Sequence, residues 1–469
     1  MENSPIDSNH LSDSETDLNS ESGLWRQIHD SIEIGDHQAV ADAIAPLSPV
    51  ETARLISRVS EQDRVEILTL LNPKDAADVV EDLPESQASD LMEVLTPENA
   101  ASIVHELPNE QSAELLRDMP AAGAEAILDN LSKEEADITR EMIHFEPDTA
   151  GALMSPDILS FHETQTVREV FQELELNREK YAKYDVLYAY VTRKNGELRG
   201  VLQLRNLVLS NHEEHLSQLM IQNPLFLKTD ADLETMTDFF DDHHFLGVPV
   251  VHHITNKLVG VLDTEAVESA KERRASSTFL KFSGIIGGEE LRSLPLKVRS
   301  LRRLAFLAPN ILLNLLAASV IAQFQDTLQA VIVLAVFLPI ISDMSGCSGN
   351  QAVAVSIREL SLGLIRPSEV WRVFHKESLV GLINGFVLGI VLGLIAGIWK
   401  DNVWLGLVVG GALMLNTIIS VSLGGLVPLL LKRFKVDPAL ASGPILTTVT
   451  DMCGFFLVLS FASALLDKL

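Results

Sequence analysis

The chain of 469 residues carries 65 Asp and Glu against 36 Lys and Arg, a formal net charge of −29, yet residues 291–469 hold only 9 of those acids and 14 of the bases. So acidic a front repels a phosphate backbone and excludes nucleic acid as a partner; it fits either plain solubility or a surface that collects cations. The two cysteines, Cys347 and Cys453, both stand in apolar stretches and exclude a disulfide framework or a cysteine zinc site.

Residues 1–23, rich in Ser, Asp, Glu and Asn, read as a disordered N-terminus without a signal peptide. An internal repeat of 12 residues then begins at Leu47 and returns at Val59, Leu71, Leu83, Leu95, Leu107, Met119 and Leu131. Each unit carries an apolar doublet, from Leu55-Ile56 to Ile127-Leu128, and the last breaks the pattern with Thr139-Arg140. Asn72-Pro73 and Thr96-Pro97 are cap-then-proline helix starts. The spacing predicts one short helix and a turn per unit, stacked into an acidic α-helical superhelix over 24–150. Such an array is a scaffold or interaction surface; the repeat itself shows no sensing role.

Two strand–turn–strand–helix units follow, at 151–208 and 209–270. The first holds Val186 to Val191, the turn Asn195-Gly196 and Gly200-Val201-Leu202; the second holds Gly247 to Val251, a turn near Asn256 and Leu258 to Leu262. They resemble a tandem pair of CBS domains. That resemblance implies an α/β regulatory module that binds an adenine nucleotide or metal ions, or else a dimerisation element.

Residues 271–303 read as a connecting helix and linker, with a charged helical stretch over 264–282. Arg292, Lys297, Arg299, Arg302 and Arg303 precede a first apolar run. Residues 304–469 contain five apolar segments, at 304–324, 327–358, 378–399, 402–431 and 438–465, each longer than the ~20 residues that cross a bilayer. Twelve Lys and Arg on one side against Lys400 and Lys468 on the other put the N-terminus in the cytoplasm and the C-terminus outside. The glycines at 381, 385, 389, 393 and 397 share one helix face and read as helix packing.

Polar residues interrupt these spans. Pro339 and the run Ser342 to Gln351 predict a broken helix lining a wet cavity, or a helix ending at the interface. Asp451 sits near the middle of the last segment, where a carboxylate costs ~2.5–3.5 kcal/mol on insertion scales. It is a functional acid or a satisfied packing carboxylate; Thr447 one turn earlier and Asn416 in the fourth segment are polar neighbours.

The runs Gly346-Cys347-Ser348-Gly349-Asn350-Gln351 and Asp437-Pro438 through Gly443-Pro444 to Thr447-Thr448-Val449-Thr450-Asp451 resemble the membrane signatures of the MgtE magnesium transporters. The order of helical repeat domain, CBS pair, connecting helix and five-helix transmembrane domain matches as well. The resemblance implies a homodimeric, multi-pass protein of the cell (inner) membrane that passes Mg2+ and is gated by its cytoplasmic domains. It places metal at Asp451 and Asp437 and a pore lined by Thr447, Gly443, Asn416, Gly346, Cys347, Asn350 and Gln351. It also implies regulatory Mg2+, with ATP at the CBS pair.

Two departures stand out. Cys347 occupies a place usually held by Asn, and a soft thiol is a poor Mg2+ ligand, so a Co2+ or Mn2+ transporter is an alternative. The connecting helix carries Lys271-Glu272-Arg273-Arg274 where the family is acid-rich, leaving Glu265, Glu268 and Glu272 as gating acids. A non-transporting magnesium sensor is the remaining alternative. An enzyme is not expected: there is no HExxH motif or P-loop, and His375 is the only histidine after residue 291.

Overall fold

The computed structural model describes residues 26, 28–32, 34, 36–57, 59–182, 184, 188–286 and 296–469. The expected N-terminal lead-in, Val186-Leu187 and Arg292 lie outside the described residues. Met1–Lys271 and Glu272–Leu469 form two compact units.

In the first unit, helices open at His37, Pro49, Glu61, Pro73, Glu85, Pro97, Asn109, Ala121 and Lys133, twelve residues apart throughout. The array thus begins one unit before the repeat visible in the sequence. Ser48, Ser60, Asn72, Thr96 and Ser132 each cap a helix by accepting from the backbone N–H three residues on. Each helix packs on the next but one. Pro49–Ile56, Pro73–Glu81, Pro97–Val104 and Ala121–Leu128 make one row, and His37–Ile44, Glu61–Leu70, Glu85–Val94 and Asn109–Arg117 the other. The doublets from Leu55-Ile56 to Ile127-Leu128 are all buried between the rows. In the last unit buried Thr139 turns its hydroxyl back to Glu135 O (2.9 Å), and Arg140 reaches Glu125 (2.6 Å) and Asp129 (3.2 Å), so polar groups close the stack.

Two small sheets follow. β1 (Leu159–His162) lies parallel to β2 (Tyr188–Thr192), which runs antiparallel to β3 (Leu198–Gln203), with β4 (Ile221–Gln222) beyond. β5 (Leu227–Lys228), β6 (Gly247–Val251) and β7 (Leu258–Asp263) repeat the same order. A Cβ at Gly200 would sit 2.5 Å from Met220 Sδ, and one at Gly260 would sit 2.6 Å from Met154 Sδ. The two copies therefore use one packing device.

The second unit contains, among the described residues, five long helices: Leu296–Gln323, Leu334–Ser361, Val370–Trp399, Val403–Arg433 and Pro438–Ala464. All but Leu334–Ser361 are long and apolar enough to cross a membrane. The expected segment 327–358 resolves into a short helix, Gln325–Ala330, a turn, and Leu334–Ser361. The expected break at Ser342 to Gln351 is not there: the helix is continuous through Pro339. Within that run Gly349 serves close packing instead of flexibility. A Cβ at Gly349 would overlap Ser420 and lie 2.8 Å from Leu446, and one at Gly424 would strike Gly349 O.

The glycine ridge does pack helices. A Cβ at Gly385 would meet Met414 O at 2.6 Å, one at Gly389 Gly410 O at 2.6 Å, and one at Gly393 Gly406 O at 2.8 Å. Val370–Trp399 and Val403–Arg433 therefore touch backbone to backbone.

Candidate ion-path site

The Pro438–Ala464 helix begins at Asp437, whose Oδ1 accepts from Ala439 N (2.9 Å), with Pro438 in the first turn. Gly443, Thr447 and Asp451 recur at a spacing of four and so share one helix face. A Cβ at Gly443 would meet nothing within 4 Å, so the stripe begins beside open space.

Asp451 is half-buried and accepts a hydrogen bond from the Ser342 hydroxyl on Leu334–Ser361. Behind Ser342, Ser345 is fully buried and accepts from Asn416 Nδ2 (2.5 Å), while Ser420 donates to Ser345 O (2.6 Å). Asn416 is itself 0% exposed, and its Oδ1 has no hydrogen-bond partner among the described residues. A Cβ at Gly454 would come 2.7 Å from Asn416 Nδ2. Asn416 thus joins three helices behind Asp451.

Leu334–Ser361 also presents Asp343, Cys347 and Gln351, again four apart and all exposed, with Cys347 Sγ 3.9 Å from Asp343 Oδ1. Asn350 is half-buried beside them, and a Cβ at Gly346 would meet nothing within 4 Å. The Gly443–Thr447 stripe also borders a cleft of about 210 Å³, lined by Gly443, Pro444, Thr447 and Thr448 and by Phe306, Asn310, Leu313 and Asn314 of the Leu296–Gln323 helix.

At the N-terminal end of the stripe, Lys281 Nζ lies 3.2 Å from Asp437 Oδ2, and Phe282 packs on Val353, Ile357, Ala439 and Leu446. Glu265, Glu268 and Glu272 are exposed along Thr264–Phe282, and Glu268 pairs with Lys271 at 2.8 Å. Among the described residues no three His, Cys, Asp or Glu side chains converge as a metal cage.

Asn310, Asn314 and Ser420 carry no role in the sequence reading, and Ser342 and Ser345 enter it only as members of the polar run Ser342 to Gln351. Two carboxamides one turn apart in an apolar span are a legible signal; the serines, common in any helix, give none until their partners are known.

Family models match three parts of the chain: a divalent cation transporter model over 338–461, an MgtE intracellular N domain over 47–148, and CBS domains over 150–211 and 216–270. The magnesium transporter MgtE of Enterococcus faecalis is 30% identical over 70% of this chain and 72% of its own length. That of Thermus thermophilus is 31% identical over 70% and 72%. The chain belongs to the MgtE family. It is a magnesium transmembrane transporter and a multi-pass membrane protein, with an MgtE N domain and a CBS pair ahead of its apolar helices. A solved cytosolic domain of the Mg2+ channel MgtE in complex with ATP is 26% identical, with a TM-score of 0.47, over 52% of this chain and 99% of that one. The MgtE membrane model takes in Asp437, Asp451, Thr447, Gly443, Asn416 and the Gly346–Gln351 run, and begins after Asn310 and Asn314.

Proposed function

We propose that Mg2+ crosses the membrane along the Gly443–Thr447–Asp451 stripe with Asp451 as its charged contact. The carrying observation is the Ser342–Asp451 hydrogen bond, which aims a half-buried carboxylate where two helices meet. Mg2+ demands octahedral geometry and dehydrates reluctantly. Single carboxylates, hydroxyls and backbone carbonyls bind its water shell without trapping it, and weak binding is what exit requires. Thr447, Gly443, Gly346, Cys347, Asn350 and Gln351 line the path, Asn416 holds Asp451's helix neighbours from behind, and Asp437 meets the ion at the mouth.

The same reading makes the protein a homodimer. The exposed polar stripe of Asp343, Cys347 and Gln351 on a membrane helix needs a wet or protein-covered partner face, and a second copy supplies one. All five long helices cross the inner membrane, with the N-terminus cytoplasmic and the C-terminus outside, as the Lys and Arg distribution favours. The domains divide at 24–150, 151–208, 209–270, 271–303 and 304–469. Cytoplasmic Mg2+ acts on the acidic domains and on Glu265, Glu268 and Glu272 to close the path, and ATP binds the CBS pair. Two buried polar atoms without a hydrogen-bond partner among the described residues, Tyr190 Oη and His162 Nε2 on neighbouring strands, favour a ligand there. The protein is a transporter without catalytic activity.

The test is Mg2+ uptake into proteoliposomes. Asp451→Asn is expected to reduce uptake to the empty-vesicle background; a folded variant that still transports at the wild-type rate overturns the assignment. A broader divalent range is the second reading, favoured by exposed Cys347 beside Asp343. Cys347→Asn should then lower Co2+ flux relative to Mg2+, and an unchanged ratio places Cys347 off the path.

A further inference from the structure

Asn310 and Asn314 stand one helical turn apart on Leu296–Gln323, so they share a face. Both line the cleft whose opposite wall is Gly443, Thr447 and Thr448. Neither carboxamide has a hydrogen-bond partner among the described residues. The rest of this helix is dominated by exposed apolar side chains such as Leu307, Ile311, Leu312 and Leu315. A bare carboxamide in hydrocarbon is costly, and polar side chains within spans face a wet cavity or a partner. A water takes about 30 Å³ of liquid, so a cleft of about 210 Å³ has room for several waters.

We propose that Asn310 and Asn314 form a second wall of the ion path and act as specificity residues for the hydrated cation. The inference rests on the reading that Gly443, Thr447 and Asp451 line that path. Each carboxamide oxygen accepts a hydrogen bond from a metal-bound water, whose hydrogens point outward from the cation. A neutral amide suits this position. It holds the outer face of a hexahydrated ion without adding the charge that would retain it, and it discriminates by the size and persistence of the water shell. Mg2+, which keeps its waters, makes these bonds. An ion that sheds water loses them.

The test uses the full-length protein in proteoliposomes. Asn310→Leu and Asn314→Leu, checked for folding by size-exclusion chromatography, are expected to slow Mg2+ uptake about three- to tenfold each, the size of one lost hydrogen bond. They should also raise Co2+ flux relative to Mg2+, a ratio that a purely structural role leaves alone. In a Cys347→Ser, Cys453→Ser background, Asn314→Cys should react with a charged methanethiosulfonate reagent, and Mg2+ or cobalt hexammine should slow that reaction. Wild-type flux and ion ratio in both leucine variants overturn the proposal while Asp451→Asn still abolishes uptake. So does an Asn314→Cys variant whose introduced thiol resists the charged reagent, as a lipid-facing side chain would. If Asp451→Asn transports normally, the underlying path is wrong instead.

Discussion

The Ser342 hydroxyl donates to the Asp451 carboxylate across 109 positions of sequence, tying the second long helix to the fifth. Hydrogen bonds to charged groups contribute roughly 1.5–3 kcal/mol, so this bond fixes where the carboxylate points. Ser342→Ala is expected to leave the fold intact and slow Mg2+ uptake about tenfold, with Ser342→Thr recovering most of the rate. Uptake assays on the three proteins check it; equal rates mean that Asp451 is oriented by something else.

The backbone contact between Val370–Trp399 and Val403–Arg433 predicts a graded response to added methyl groups. Gly389→Ala puts a Cβ 2.6 Å from Gly410 O and 2.9 Å from Met414 Cβ. Overpacking of this kind costs about 1–3 kcal/mol. Gly397→Ala meets its nearest atom at 3.7 Å and should be neutral. Thermal unfolding in detergent, followed by size-exclusion chromatography, distinguishes the pair.

Glu110 opens the Asn109–Arg117 helix beside Ser155, Asp157 and Asp263 of the CBS pair. Burial, reinforced by the Asp157 and Asp263 carboxylates, pushes its carboxyl from 4.5 up to about 7. A raised acid binds its proton more tightly folded than unfolded. Its destabilising effect is therefore absent below pH 4.5, grows as pH rises toward 7 and is constant above. The expected result is faster amide exchange in Asn109–Arg117 at about pH 8 than at about pH 5.5, beyond the intrinsic pH effect on exchange. Glu110→Gln, which copies the protonated group, should remove that difference and protect the helix by up to about 3 kcal/mol at about pH 8. An unchanged profile in the variant refutes the assignment.

The Lys281–Asp437 pair is partly exposed, and such pairs contribute at most about 1 kcal/mol. Lys281→Met should nonetheless free the Asp437 charge and loosen the connecting helix, raising Mg2+ flux by no more than about fivefold at low salt. Screening shortens the reach of these charges, so the difference should shrink at about 0.5 M salt. A salt-independent effect would point to Phe282 packing instead.

Periodic features were legible in the sequence. The 12-residue repeat, the paired strands and the glycine ridge each show a regular burial pattern, and such patterns survive in one dimension because each position meets the same environment in every copy. Even there the helix at His37–Ile44 escaped notice, since its turn lacks the repeat's opening signature. Asp451 was legible for another reason: a carboxylate within an apolar segment is costly wherever its helix packs. What it touches was not. Asn416 is legible as a polar neighbour but not as a buried one, Ser342 stands out only as one member of a polar run, Ser420 not at all until helix packing sets its distances, and Gly346 to Gly349 read as a flexible break although Gly349 is where Ser420 and Leu446 approach.

The order of domains, the apolar helices and the acid at Asp451 follow from the residues in their order along the chain, because local periodicity and the cost of charge in hydrocarbon act within short stretches. That Asp451 is held by Ser342, that Asn416 is buried behind it and that Asn310 and Asn314 face Thr447 across a cleft came into view with the packed helices alone. Those relations depend on how helices cross, and crossing is set by side-chain fit between segments far apart in sequence.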